Sequence, residues 1–62
     1  MPVITIQLIE GRDKDTKRRL IEGVADTVCD VLNKEPESLR VILQEIPATD
    51  YAIGRTPMSD KK

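Results

Sequence analysis

Pro2-Val3-Ile4-Thr5-Ile6-Gln7-Leu8-Ile9 is rich in β-branched residues and alternates, with Ile4, Ile6 and Leu8 on one parity and Thr5 and Gln7 on the other. It reads as a strand over residues 2–9. Glu10-Gly11-Arg12 breaks the alternation, and Asp13 then stands as an N-cap before a long charged and apolar stretch. From Leu20 the apolar residues Ile21, Val24, Ala25, Val28, Val31 and Leu32 recur with the 3.6-residue period of a helix. Asn33 tolerates the left-handed conformation that ends helices and Pro36 cannot continue one, so the helix stops there.

Leu39-Arg40-Val41-Ile42-Leu43-Gln44-Glu45-Ile46 is a second strand, closed by Pro47. Two strands joined through a helix pair in parallel, with a right-handed crossover. The fold class is therefore α/β, a single β-α-β unit spanning residues 1–62 as one domain. Beyond it, Asp50, Gly54 and Pro57 mark turns around a short hairpin near Tyr51-Ala52-Ile53, and fraying is expected from about residue 57 to the end.

One helix covers one face of this sheet. The other face, carrying Val3, Ile9, Ile42 and Ile46, is left without a partner in the chain. A domain of 62 residues obtains only about 3–5 kcal/mol from a single core. With one cysteine and no histidine, neither disulfide nor zinc is at hand to reinforce it. Association with further copies is the remaining device, and an obligate oligomer is expected.

The composition, 39% hydrophobic and 34% charged with a net charge of −1, is that of a folded domain and argues against disorder. It also argues against nucleic acid as a partner, since there is no excess of positive charge and only one aromatic side chain to stack on a base. No stretch is long and apolar enough for a membrane span, and the amino terminus lacks the pattern of a signal peptide. A cytoplasmic protein is expected, which suits the lone thiol of Cys29. No metal-ligand spacing and no glycine-rich phosphate cradle is present, so no cofactor and no metal is implied. The run Lys17-Arg18-Arg19 reads as a solvated helix face.

Chemistry concentrates on few residues. Pro2 follows an initiator methionine that aminopeptidase removes readily before a small residue, and the mature chain would then begin with a secondary amine. Arg12 follows the first strand. Arg40 opens the second and shares the parity of Ile42 and Gln44, which turns it away from the helix. Tyr51 is the only aromatic residue.

The amino-terminal proline, the segment Ile9-Glu10-Gly11-Arg12 and the segment Leu39-Arg40-Val41-Ile42 together resemble the 4-oxalocrotonate tautomerase family, over nearly the whole chain. The resemblance implies a tautomerase that moves a proton between two carbons of a small unsaturated 2-hydroxy or 2-keto carboxylate such as 2-hydroxymuconate. It implies a homo-hexamer, a trimer of dimers, with sites shared between subunits. By position, Pro2 matches the family's catalytic proline and Arg12 and Arg40 its substrate-binding arginines. Tyr51 stands where 4-oxalocrotonate tautomerase has phenylalanine, which adds a hydroxyl to the pocket wall.

Geometry bears on the sharing independently. A strand of about seven residues at roughly 3.3 Å each separates Pro2 from Gly11 by more than about 20 Å, too far for Arg12 to reach its own Pro2. Two other functions are weighed. The resemblance extends to relatives that hydrate haloacrylates with the same proline acting as an acid; those relatives need a carboxylate to activate water, and the position near Tyr51 where it would stand holds Ile53. A non-catalytic oligomeric scaffold would be indifferent to whether the Pro2 nitrogen is free.

Overall fold

The computed structural model describes residues 2–60; removal of Met1 and the expected fraying of Lys61 and Lys62 fall outside them. The elements in order are β1 (Val3–Ile9), α1 (Lys14–Leu32), β2 (Arg40–Ile46), β3 (Ala52–Ile53) and β4 (Thr56–Pro57). Short 3-10 turns lie at Pro36–Ser38, Ala48–Asp50 and Met58–Asp60. β1 and β2 are parallel, in register from Val3 opposite Arg40 to Ile9 opposite Ile46. The β-α-β unit and its hairpin are thus those expected, with the second strand starting one residue later because Leu39 closes the 3-10 turn that precedes it. Pro57 pairs with Ala52, and Met58 donates its N–H to the Tyr51 carbonyl at 2.7 Å.

The helix boundaries follow from local chemistry. The Asp13 carboxylate accepts the Thr16 N–H at 2.9 Å, and this hydrogen bond to its charged form holds the carboxyl below its ordinary value. At the other end Asn33 adopts φ 55°, and the Lys34 N–H returns to the Cys29 carbonyl at 3.0 Å. A β-branched residue is strained in that conformation. Asn33→Val is expected to lower the unfolding free energy by about 1–2 kcal/mol, and Asn33→Gly to leave it unchanged or raise it, as read from chemical denaturation.

α1 lies on the face of the sheet that carries Ile4, Ile6, Leu8, Val41 and Leu43, all half-buried. Lys17 leaves the solvated run assigned to it from sequence and bridges to Glu45 of β2 at 2.7 Å, because residue 45 shares the parity of the covered face. At this exposure the pair contributes about 0–1 kcal/mol. Only part of the helix stripe packs within the chain: Leu20, Val24 and Val28 are half-buried, while Val31 remains 76% exposed.

Among the described residues Leu39 alone is buried. The accessible surface is 5096 Å² for 7.0 kDa, against about 4,000 Å² from the scaling for compact monomers. The radius of gyration is 14.6 Å, against about 10–11 Å for a compact chain of this length. The surplus area, roughly 1,000 Å², exceeds the approximately 800 Å² that each partner gives to a standard protein interface. On the open face of the sheet Val3 and Ile42 are 58% and 48% exposed. No helix among the described residues is long and apolar enough to cross a membrane.

Candidate active site

Pro2 immediately precedes β1, a place where a missing N–H breaks no ladder bond. Its carbonyl accepts the backbone N–H of Arg40 at 3.0 Å, which ties the amino terminus to the start of β2. The Arg40 guanidinium folds back over the preceding turn, where Nη1 donates to the carbonyls of Glu37 at 2.9 Å and Leu39 at 3.2 Å. These bonds fix the side chain with backbone oxygens rather than a carboxylate. Among the described residues no carboxylate pairs with it.

At the opposite end of the strands, Gly11 turns the chain out of β1 with φ 129°, a conformation that favours glycine. Arg12 follows, and its Nη1 donates to the Ile9 carbonyl at 3.0 Å. Tyr51 closes the Ala48–Asp50 turn, with its backbone held by Met58. Arg12 and Tyr51 line one groove of about 360 Å³, together with Gln7, Leu8, Ile9 and Ile46. Apolar Leu8, Ile9 and Ile46 thus lie beside residues that carry hydrogen-bonding groups, the mixture expected of a small-ligand site. A larger open groove of about 530 Å³ runs along the helix past Lys14, Ile21 and Leu43, and holds none of the candidate residues.

The structure thus joins Pro2 to Arg40 through a backbone bond and sets Arg12 and Tyr51 along one groove, the two pairs lying at opposite ends of strands of seven residues. At about 3.3 Å per residue the separation is over 20 Å. Neither arginine is paired with a carboxylate among the described residues. Sequence reasoning passed over Gln7, a residue that lines the Arg12 groove and whose Nε2 donates to Gln44 Oε1 at 3.2 Å. The available signal was parity, since both glutamines share the open face with Arg40 and Ile42.

A family model described as "Tautomerase enzyme" matches residues 2–61. A probable tautomerase of Listeria innocua is 43% identical over 60 residues, covering 97% of this chain and 98% of that one. A probable tautomerase of Halalkalibacterium halodurans is 33% identical over 61 residues, covering 98% and 100% respectively. Among solved structures, a 4-oxalocrotonate tautomerase homologue superposes with a TM-score of 0.91 at 34% identity, covering 100% of this chain and 98% of the other. DmpI from Helicobacter pylori superposes with a TM-score of 0.82 at 36% identity, covering 94% and 97%. With strand order, length and sequence in agreement from end to end, the chain belongs to the tautomerase family.

Proposed function

We propose that the protein catalyses a 1,3-proton transfer, a keto-enol isomerisation, on a small unsaturated 2-hydroxy or 2-keto carboxylate of the 2-hydroxymuconate type, with the nitrogen of Pro2 as general base. The observation that carries this reading is the division of the candidate residues into two complementary ends, Pro2 with Arg40 and Arg12 with Tyr51, within a tautomerase-family fold. One end of a subunit meets the opposite end of a neighbour, and the site is complete only in the assembly. A hexamer built as a trimer of dimers is the arrangement proposed, with the open face of the sheet supplying its contacts. The surplus surface of the single chain supports association, and the distance along the strands supports sharing.

The base must be free at neutral pH, whereas an ordinary amine is largely protonated. An ammonium at Pro2, enclosed by the neighbour's apolar groove and flanked by two guanidiniums, is disfavoured by desolvation and by like-charge repulsion. Both effects lower its pKa toward neutrality. The neutral nitrogen takes the proton from the enol and returns it to a carbon further along the conjugated chain. Arg40 stabilises the charge that grows on the carbonyl oxygen, where a fixed cation acts most strongly in the transition state. Arg12 holds the distal carboxylate through its forked donors, and the Tyr51 hydroxyl adds a hydrogen bond beside it.

The test is ketonisation of 2-hydroxymuconate across pH, by protein whose mass confirms loss of Met1. A basic limb near neutrality is expected. Arg12→Ala is expected to raise KM and lower kcat, and Arg40→Ala to lower kcat about 10²-fold. Unchanged values for Arg40→Ala would remove it from the site.

A further inference from the structure

Arg40 is held through one nitrogen of its side chain. Nη1 carries two N–H groups and makes two bonds, to the carbonyls of Glu37 at 2.9 Å and Leu39 at 3.2 Å. Those carbonyls are enough to occupy it. Among the described residues Nε and Nη2 make no hydrogen bond, so the guanidinium keeps one edge, with N–H groups on both nitrogens, free for a ligand.

Which edge stays free depends on where the two carbonyls stand. They are set by the Pro36–Ser38 turn that leads into β2, a 3-10 turn with proline in its first position. The Ser38 N–H donates to the Glu35 carbonyl at 3.0 Å, and the Leu39 N–H to the Pro36 carbonyl at 3.1 Å. Leu39, which is buried, anchors the exit of the turn. At its entry Glu35 contributes no side-chain cap, and the Ser38 hydroxyl donates to the Glu35 carbonyl at 2.8 Å instead. Apart from Arg40, Ser38 is the one side chain bonded within the turn among the described residues.

We propose that Ser38 is a positioning residue for Arg40. Its hydroxyl closes the turn, which fixes the carbonyls that hold Nη1 and so decides which edge of the guanidinium meets the ligand. This rests on the assignment of Arg40 to the carbonyl oxygen of the substrate. Without the hydroxyl Arg40 keeps its charge but swivels. A cation that swivels still attracts an anionic ligand, but it is no longer preorganised for the charge that grows in the transition state, so the loss falls on kcat.

Two measurements on the assembled protein test this. The first is nuclear magnetic resonance of the Arg40 guanidinium, its signal identified by loss in Arg40→Lys. Rotation about the Nε–Cζ bond is expected to be about tenfold faster in Ser38→Ala than in the wild type, the equivalent of one hydrogen bond, and Ser38→Thr is expected to restore it. The second is ketonisation of 2-hydroxymuconate. Ser38→Ala is expected to lower kcat about tenfold with KM within about twofold, Ser38→Thr to recover it, and Ser38→Ala to cost nothing further when added to Arg40→Ala. Ser38→Cys, a weak donor of similar volume, serves where alanine disturbs assembly.

Rotation equally fast in the wild type and in the variants without the hydroxyl overturns the proposal. So does an unchanged kcat in Ser38→Ala, or a loss that persists in the Arg40→Ala background, as a merely structural role would give. A wild type that restrains the guanidinium but does not turn over 2-hydroxymuconate sustains the positioning by Ser38 and removes the assigned reaction.

Discussion

Ketonisation of 2-hydroxymuconate is expected to fall by about 10²–10⁴-fold when methionine remains attached to Pro2, the range contributed by a positioned general base. Acylation turns the secondary amine into a tertiary amide, which has no basic lone pair at any pH of interest. It alters neither arginine and none of the backbone bonds that hold Arg40 over its turn. The loss should therefore sit in kcat, and the basic limb of the pH profile should vanish with it. Pro2→Ala, which keeps an amine but loses the rigid ring, should fall between the two. Mass spectrometry of each sample, followed by rates across pH, makes the comparison. Equal rates in processed and unprocessed protein would exclude Pro2 as the base.

The second large effect concerns assembly. Ile42 lies opposite Thr5 in the parallel ladder and projects from the open face, 48% exposed in the single chain. Ile42→Asp is expected to abolish association and, with it, the fold. An unpaired carboxylate enclosed between subunits costs several kcal/mol, whereas a core of this size supplies about 3–5 kcal/mol. Sedimentation should report a monomer, circular dichroism the loss of helix, and the assay no turnover, although no candidate site residue has changed. A variant that stays folded and assembled would show that the open face is an ordinary solvent surface.

Much of the fold was legible because its signals are local. The parity of Ile4, Ile6 and Leu8 marks the face that meets the helix, and Asp13 and Asn33 terminate α1 as their side chains dictate. Arg40 and Gln44 were placed on the open face by the same alternation. What the local pattern did not contain was long-range. Glu45 draws Lys17 out of the basic run by a contact 28 positions away, and the Gln7–Gln44 bond spans 37. The anchoring of Arg12 and Arg40 on nearby carbonyls depends on turn geometry that residue types alone do not specify. The backbone bond between Met58 and Tyr51 is likewise one that no composition rule anticipates.

The placement of Pro2 with Arg40 at one end of the strands and of Arg12 at the other also governs how damage spreads between gene copies. On the proposed arrangement every chain lends its two ends to different sites. A chain impaired at Pro2 can still present a sound Arg12 to its neighbours, and one impaired at Arg12 can still present a sound Pro2. Two alleles, each inactive when expressed alone, would then restore a fraction of working sites wherever their products intermix. An allele that blocks folding of its own chain contributes neither end, and complements nothing.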